Sequence, residues 1–252
     1  MNEYLKNLNR LEFAVTFSCS GKCRHCSQGS HPDCPEHIDG DAAAGAVHKI
    51  CQAFQINSLM TFGGEPLLYS EAVCKIHKGA KRSGIPKRQI ITNGYFSRDP
   101  SIIRKTASRL AESGVNELLL SVDAFHQETI PLEPVKIFAE AVREAGIFLR
   151  THPAWLVSRE DGNPYNEKTR EILKEFAQSG IRESSGNIIF PSGNAARYLS
   201  EYFREGELPP NPYEEDPRDV RAICISPNGD VLGGNIYRTD IMELIDAYRP
   251  AE

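Results

Sequence analysis

Three cysteines crowd into the stretch FSCSGKCRHCSQG, residues 17 to 29, as Cys19, Cys23 and Cys26 in a C-x-x-x-C-x-x-C pattern. Thiols this close together bind metal, pair as a disulfide, or hold an iron–sulfur cluster. A structural zinc site closes four tetrahedral positions, and His25, His31 or Cys34 stands near enough in sequence to supply the fourth. An iron–sulfur cluster on three protein thiolates leaves one iron open to a further ligand. A disulfide leaves an odd thiol and needs an oxidising compartment.

The elements that must carry this loop follow from hydrophobic periodicity. Apolar runs LEFAVTF, SLMTF, RQIITNG, NELLLSV, IFLRTHPAW and GNIIFP predict six strands. Between them, segments such as DAAAGAVHKICQAFQ and PVKIFAEAVREAG place apolar residues on one helical face: Val47, Ile50, Cys51 and Phe54 in the first, Val135, Phe138, Ala139 and Val142 in the second. Strands alternating with helices imply βαβ units and a parallel sheet. The expected fold is α/β, a partial (βα)6 TIM-like barrel open along one side. Ligands of such sheets sit at the carboxyl ends of the strands. The cysteines, Gly63-Gly64-Glu65-Pro66, Asn93, Asp123 and Pro191 all follow a predicted strand end, so they should converge on one rim.

Composition narrows the function. The 252 residues are 40% hydrophobic and 25% charged, with 29 basic against 34 acidic side chains. The resulting net charge of -5 gives no general attraction to nucleic acid or anionic lipid. No apolar run is long enough to span a bilayer, and the first residues are too mixed in polarity for a signal peptide. A cytoplasmic protein is expected, and in that compartment clustered thiols bind metal more often than they pair.

C-x-x-x-C-x-x-C after the first strand and Gly-Gly-Glu-Pro after the second together resemble the radical S-adenosylmethionine (radical SAM) enzymes, over roughly residues 11 to 191. The resemblance implies that Cys19, Cys23 and Cys26 hold one [4Fe–4S] cluster, whose open iron is chelated by the amino and carboxylate groups of SAM. It implies reductive cleavage of SAM to a 5′-deoxyadenosyl radical, which takes hydrogen from an unactivated carbon. An anaerobic enzyme with a one-electron donor such as flavodoxin or ferredoxin is therefore expected, its reaction oxidoreductase- or transferase-like.

By the same resemblance Glu65 meets the SAM ammonium, and His25 occupies the place before the third cysteine where a ring packs near the adenine. ITNG and LSVD resemble strand ends of the subgroup containing molybdopterin-biosynthesis and peptide-maturation enzymes, which places Asn93, Ser121 and Asp123 near the ribose or methionine. Arg150 is a candidate partner of the SAM carboxylate, and Pro191 of the adenine wall. His126 and His152 should project to the same rim. Cys51 and Cys74, on apolar helical faces, read as core.

The chain divides at about residue 200. The segment 201–252 resembles a degenerate SPASM or twitch extension, expected as a hairpin turning at Asn228-Gly229 and a helix that cover the open side. Such extensions hold auxiliary clusters through several cysteines, and here Cys224 is the only one after Cys74. One cluster is expected. The substrate is a peptide side chain or a small metabolite. The competing readings are an activase of a glycyl-radical enzyme and a non-catalytic iron–sulfur regulator.

Overall fold

The computed structural model describes residues 2–30, 35–204, 208–211 and 214–250. The first strand, β1 (Arg10–Ala14), turns Leu11 and Phe13 towards the helices and leaves Arg10 and Glu12 on the opposite face, the alternation a strand imposes. Next come α1 (Gly40–Ala53), β2 (Ser58–Phe62), α2 (Ser70–Arg82), β3 (Lys87–Thr92), α3 (Pro100–Ser113) and β4 (Glu117–Leu120). After β4 stand the single-turn α4 (Ala124–Gln127), then α5 (Leu132–Glu144), β5 (Phe148–Thr151), β6 (Ala154–Trp155) and α6 (Pro164–Gln178). The chain continues through β7 (Arg182–Glu183), β8 (Asn187–Ile188), α7 (Gly193–Tyr198), β9 (Ala222–Ile225), β10 (Asp230–Val231), β11 (Gly234–Asn235) and α8 (Ile241–Ala247).

Among the described residues the main sheet has seven strands in the order β7-β5-β4-β3-β2-β1-β9, every pairing parallel. No pairing joins β7 to β9 among the described residues, so the barrel is partial, as expected. Its outer face and the helices share one core, with Leu11, Leu59, Ile90, Leu118 and Phe138 fully buried. Aspartate or asparagine caps open the main helices: Asp39 at α1, Asp99 at α3 with Pro100 as first residue, and Asn163 at α6 with Pro164. Gly114 closes α3 at φ +97°, the left-handed geometry a helix stop needs.

Two elements differ from expectation. The fifth and sixth strands each break and resume: β5 pairs with β7, then β6 with β8. Pro153, which has no N–H to give, marks the first break, and Gly186 at φ +71° marks the second. A Cβ on Gly186 would lie 2.3 Å from the Pro153 carbonyl, so the two kinks nest only with glycine there.

The second difference is in the tail. The Asn228-Gly229 turn forms, with Gly229 N–H donating to Ser226 O at 2.9 Å. However, β9 before it pairs with β1 instead of entering a hairpin. The hairpin is β10–β11, turning at Leu232 and Gly233, both at positive φ. The tail thus adds a strand at the β1 lip of the opening, and α8 packs on α1.

Candidate active site

The loop after β1 is built against the loop after β2. Gly64 N–H donates to Thr16 O at 2.8 Å and Glu65 N–H to Ser18 O at 2.9 Å. This approach explains the glycine pair. A Cβ on Gly63, held at φ +142°, would sit 2.4 Å from Thr16 O, and one on Gly64 2.1 Å from Ser18 O. The two glycines therefore serve first to seat Glu65 under the cysteine loop.

Within that loop Cys23 is buried, while Cys19 and Cys26 are half-buried. The Cys19 thiol accepts from Gly21 N–H at 3.3 Å and from the Asn93 side-chain amide at 3.5 Å. Burial pushes Cys19 up to about 12, with Glu65 and Cys26 adding negative charge, and it raises Cys23 as well. Thiolates in such a place need a bound cation to persist. The donor set, three soft sulfurs with N–H groups already directed at Cys19, fits an iron–sulfur cluster.

Other loops brace the cysteines from outside. Lys22 N–H donates to Thr129 Oγ1 at 3.0 Å, and Arg24 pairs with Glu128. From the far end of the barrel, the Asn194 side-chain amide reaches Cys23 O at 3.0 Å, and its N–H reaches Cys26 O at 2.9 Å. Gly193 makes room for this: a Cβ there would meet Ser27 O at 2.3 Å. The sequence pointed only to Pro191 in this loop. Beside it Ser192 Oγ is buried without a hydrogen-bond partner.

Glu65 is fully buried. Its Oε1 accepts from Thr92 Oγ1 at 2.6 Å and Leu67 N–H at 2.9 Å, and its Oε2 from Asn93 N–H at 2.9 Å. Burial nevertheless holds it up at about 7, the three donors only partly offsetting that cost. A carboxylate accepts about four hydrogen bonds, so Oε2 keeps room for one more donor, which suits the ammonium of SAM. Pro66 is buried as first residue of a 3-10 turn that Glu65 itself caps. Ser121, also buried, donates its N–H to Thr92 O at 2.8 Å, next to that cradle.

Asp123 is committed to the protein. Its Oδ2 meets His126 Nδ1 at 2.8 Å and Ala154 N–H at 3.0 Å, and its Oδ1 accepts from His126 N–H at 3.0 Å. Burial works to raise Asp123 and lower His126, but the ion pair outweighs it in both, lowering the acid and raising the base. Asp123 thus orients His126, a role the sequence did not show. His25 packs on both Phe125 and His126, with ring centres 5.1 and 4.8 Å away. Burial, then His126, lowers it to about 4.

Arg150 has a partner within the sheet. Its guanidinium pairs with Glu117, the first residue of β4, which Gln89 Nε2 also reaches at 2.7 Å. That strand start lies at the end opposite the cysteines. His152 bonds Ser184 Oγ at 2.7 Å and is lowered by burial and then by Arg150. Cys74 is buried and Cys51 packs partly buried against the core. His31 and Cys34 lie outside the described residues. A cleft of about 750 Å³ lined by His37, Tyr69, Lys75 and Tyr237 lies outside the barrel, with none of the thiols and not Glu65 in its wall.

Comparison with known proteins agrees with this geometry. The family model described as "Radical SAM superfamily" matches residues 13–205. A "Probable GTP 3',8-cyclase" of Methanocaldococcus jannaschii is 24% identical over 127 residues, 50% of this chain and 40% of that protein. The protein of the same description from Methanococcus aeolicus is 24% identical over 150 residues, 56% of this chain and 48% of its own length. The chain thus spans less than half the length of these curated relatives. Among solved structures, Streptococcus suis SuiB bound to precursor peptide SuiA superposes with a TM-score of 0.63 at 15% identity, over 97% of this chain and 68% of that one. Native anSMEcpe with bound AdoMet gives 0.60 at 15% identity, over 95% and 81%. At this identity the superpositions speak for the fold.

Proposed function

The chain belongs to the radical SAM superfamily, and from that premise we propose that it takes a hydrogen atom from a peptide side chain or a small metabolite. Membership makes it an enzyme and implies a [4Fe–4S] cluster and SAM as cofactors. When bound, these supply reductive cleavage of SAM and a carbon radical strong enough to attack an unactivated C–H bond.

The chain's own residues do the holding. Cys19, Cys23 and Cys26 are the cluster ligands. Glu65, fixed by Thr92 and the Asn93 N–H, takes the amino group of SAM. Asn93, Ser121 and Pro191 border the rest of the molecule, and Ser192 Oγ offers a further donor. The observation that carries the reading is the buried Glu65 carboxylate, seated by two glycines against the loop that bears the three thiols. The electron comes from a donor of the flavodoxin or ferredoxin type.

Two features bear on the substrate. The curated relatives are described as nucleotide cyclases, while SuiB is described with a precursor peptide. No helix among the described residues is long and apolar enough to cross a membrane.

The test is the isotopic mass of 5′-deoxyadenosine made by anaerobically reconstituted protein with SAM, reductant and deuterated extract. The extract is split into small-molecule and macromolecular fractions. Deuterium from one fraction is the expected result and identifies the substrate class. Cofactor-loaded protein that forms no 5′-deoxyadenosine with any fraction would overturn the reading.

A further inference from the structure

We propose that Cys23, His25 and His126 form a mononuclear site for a thiophilic divalent cation of the zinc class, filled in the chain before its cluster is built. One ligand atom from each of the three lies within 4.8 Å of the other two. A thiolate with two imidazoles is a donor set that zinc takes in tetrahedral geometry, leaving the fourth position to water.

Three further observations single out this trio. His126 spends Nδ1 on Asp123 Oδ2 at 2.8 Å, which fixes its ring orientation and leaves Nε2 as the atom that a metal can take in place of a proton. A carboxylate behind a ligating histidine is the usual outer shell of zinc centres. His25 keeps Nδ1 buried with no hydrogen-bond partner. Both rings are held in place, His126 by Asp123 and His25 by Phe125 and His126 at 5.1 and 4.8 Å. Little ordering cost therefore remains to be met when metal binds.

Binding exchanges the Cys23 S–H bond for a sulfur–metal bond and the Nε2–H bond of the His126 imidazolium for a nitrogen–metal bond, releasing two protons with no change of oxidation state. Metal and cluster then exclude each other, because both require Cys23 Sγ. Cys19 and Cys26 separate the two occupants, since the cluster needs them and this site does not. The inference stands apart from the substrate reading, since it is read in protein that holds no cluster and turns nothing over.

The experiment is an anaerobic cobalt(II) titration of the full chain, freed of iron by chelation and kept reduced. One cobalt per chain is expected, with tetrahedral ligand-field bands and a thiolate charge-transfer band. The double variant C19S/C26S should keep the spectrum. C23S should lose the charge-transfer band, H126A should weaken binding at least tenfold, and D123N should weaken it roughly 10- to 100-fold. X-ray absorption on zinc-loaded wild type needs no variant and should show one sulfur with nitrogen and oxygen neighbours. Three sulfurs around zinc, loss of the cobalt spectrum in a folded C19S/C26S chain, or absence of binding in wild type would each overturn the assignment.

Discussion

Asn194 donates its side-chain amide to the Cys23 carbonyl at 3.0 Å, across 171 residues of chain. This bond ties the last loop of the barrel to the first, and the Asn194 N–H makes a second tie at Cys26 O. The cysteine loop is thereby held by Asn194 as well as by the loop that carries Glu65. Asn194→Ala removes one of the two ties and should cost about 1 kcal/mol of stability. Its larger effect should be a cluster that bleaches faster in air. Gly193→Ala should be worse, because its Cβ would meet Ser27 O at 2.3 Å from a backbone at φ +53°. Iron content and the decay of visible absorbance measure both variants. Bleaching at the wild-type rate in Asn194→Ala would show that the loop holds itself.

Glu65 predicts two pH dependences. Burial raises its pKa to about 7 in the folded chain, so folding favours the protonated acid. The cofactor-free protein should lose stability as pH rises from the unfolded carboxyl value to about 7, and stay level above it. The loss is about 3 kcal/mol at 1.36 kcal/mol per pH unit. Glu65→Gln should flatten that part of the curve, as denaturant melts at pH 5 and pH 8 would show. SAM runs the other way. Its ammonium needs the carboxylate, so affinity should be constant above about pH 7 and fall up to tenfold per unit below. Glu65→Gln should bind weakly at every pH.

The cradle of Glu65 was half visible in the sequence. The cysteines and Gly-Gly-Glu announce themselves by spacing and residue type, and periods of 2 and 3.6 placed them past strand ends. Thr92 and Asn194 carry no such mark, because their partners, Glu65 and Cys23, are distant in sequence and no local pattern encodes them. Arg150 shows a different limit. Strand alternation says which face a side chain takes, but not whether it leans up or down the strand. β7 carries no strand signal in the sequence because Arg182-Glu183 is short and polar. In the tail Asn228-Gly229 gives a stronger turn signal than Leu232-Gly233; both turns form, and the β10–β11 hairpin is made by the second pair.

Arg150 gives the third prediction. Arg150→Met leaves Glu117 buried with Gln89 and the half-exposed Lys87 as remaining partners. Because those partners and solvent compensate in part, stability should fall by about 1–3 kcal/mol, less than for a fully buried pair. SAM affinity should change less than twofold. The double variant with Glu117→Gln should recover part of the loss, since no uncompensated charge is left. Weaker SAM binding at an unchanged melting temperature would return Arg150 to the SAM carboxylate.

The last prediction concerns cluster number. Cys224 sits on β9 opposite Glu12 in the sheet register, exposed, with no other cysteine after Cys74 in the chain. A single thiol does not hold a [4Fe–4S] cluster. Reconstituted protein should therefore carry about four irons per chain. Cys224→Ser should leave that number and the reduced cluster's electron paramagnetic resonance signal unchanged. Cys23→Ala should abolish both the cluster and 5′-deoxyadenosine formation, and its circular dichroism should match that of cofactor-free wild type, because the thiol contributes little to the shared core. About eight irons per chain would mean a second cluster, and loss of half of them in Cys224→Ser would show that Cys224 is one of its ligands.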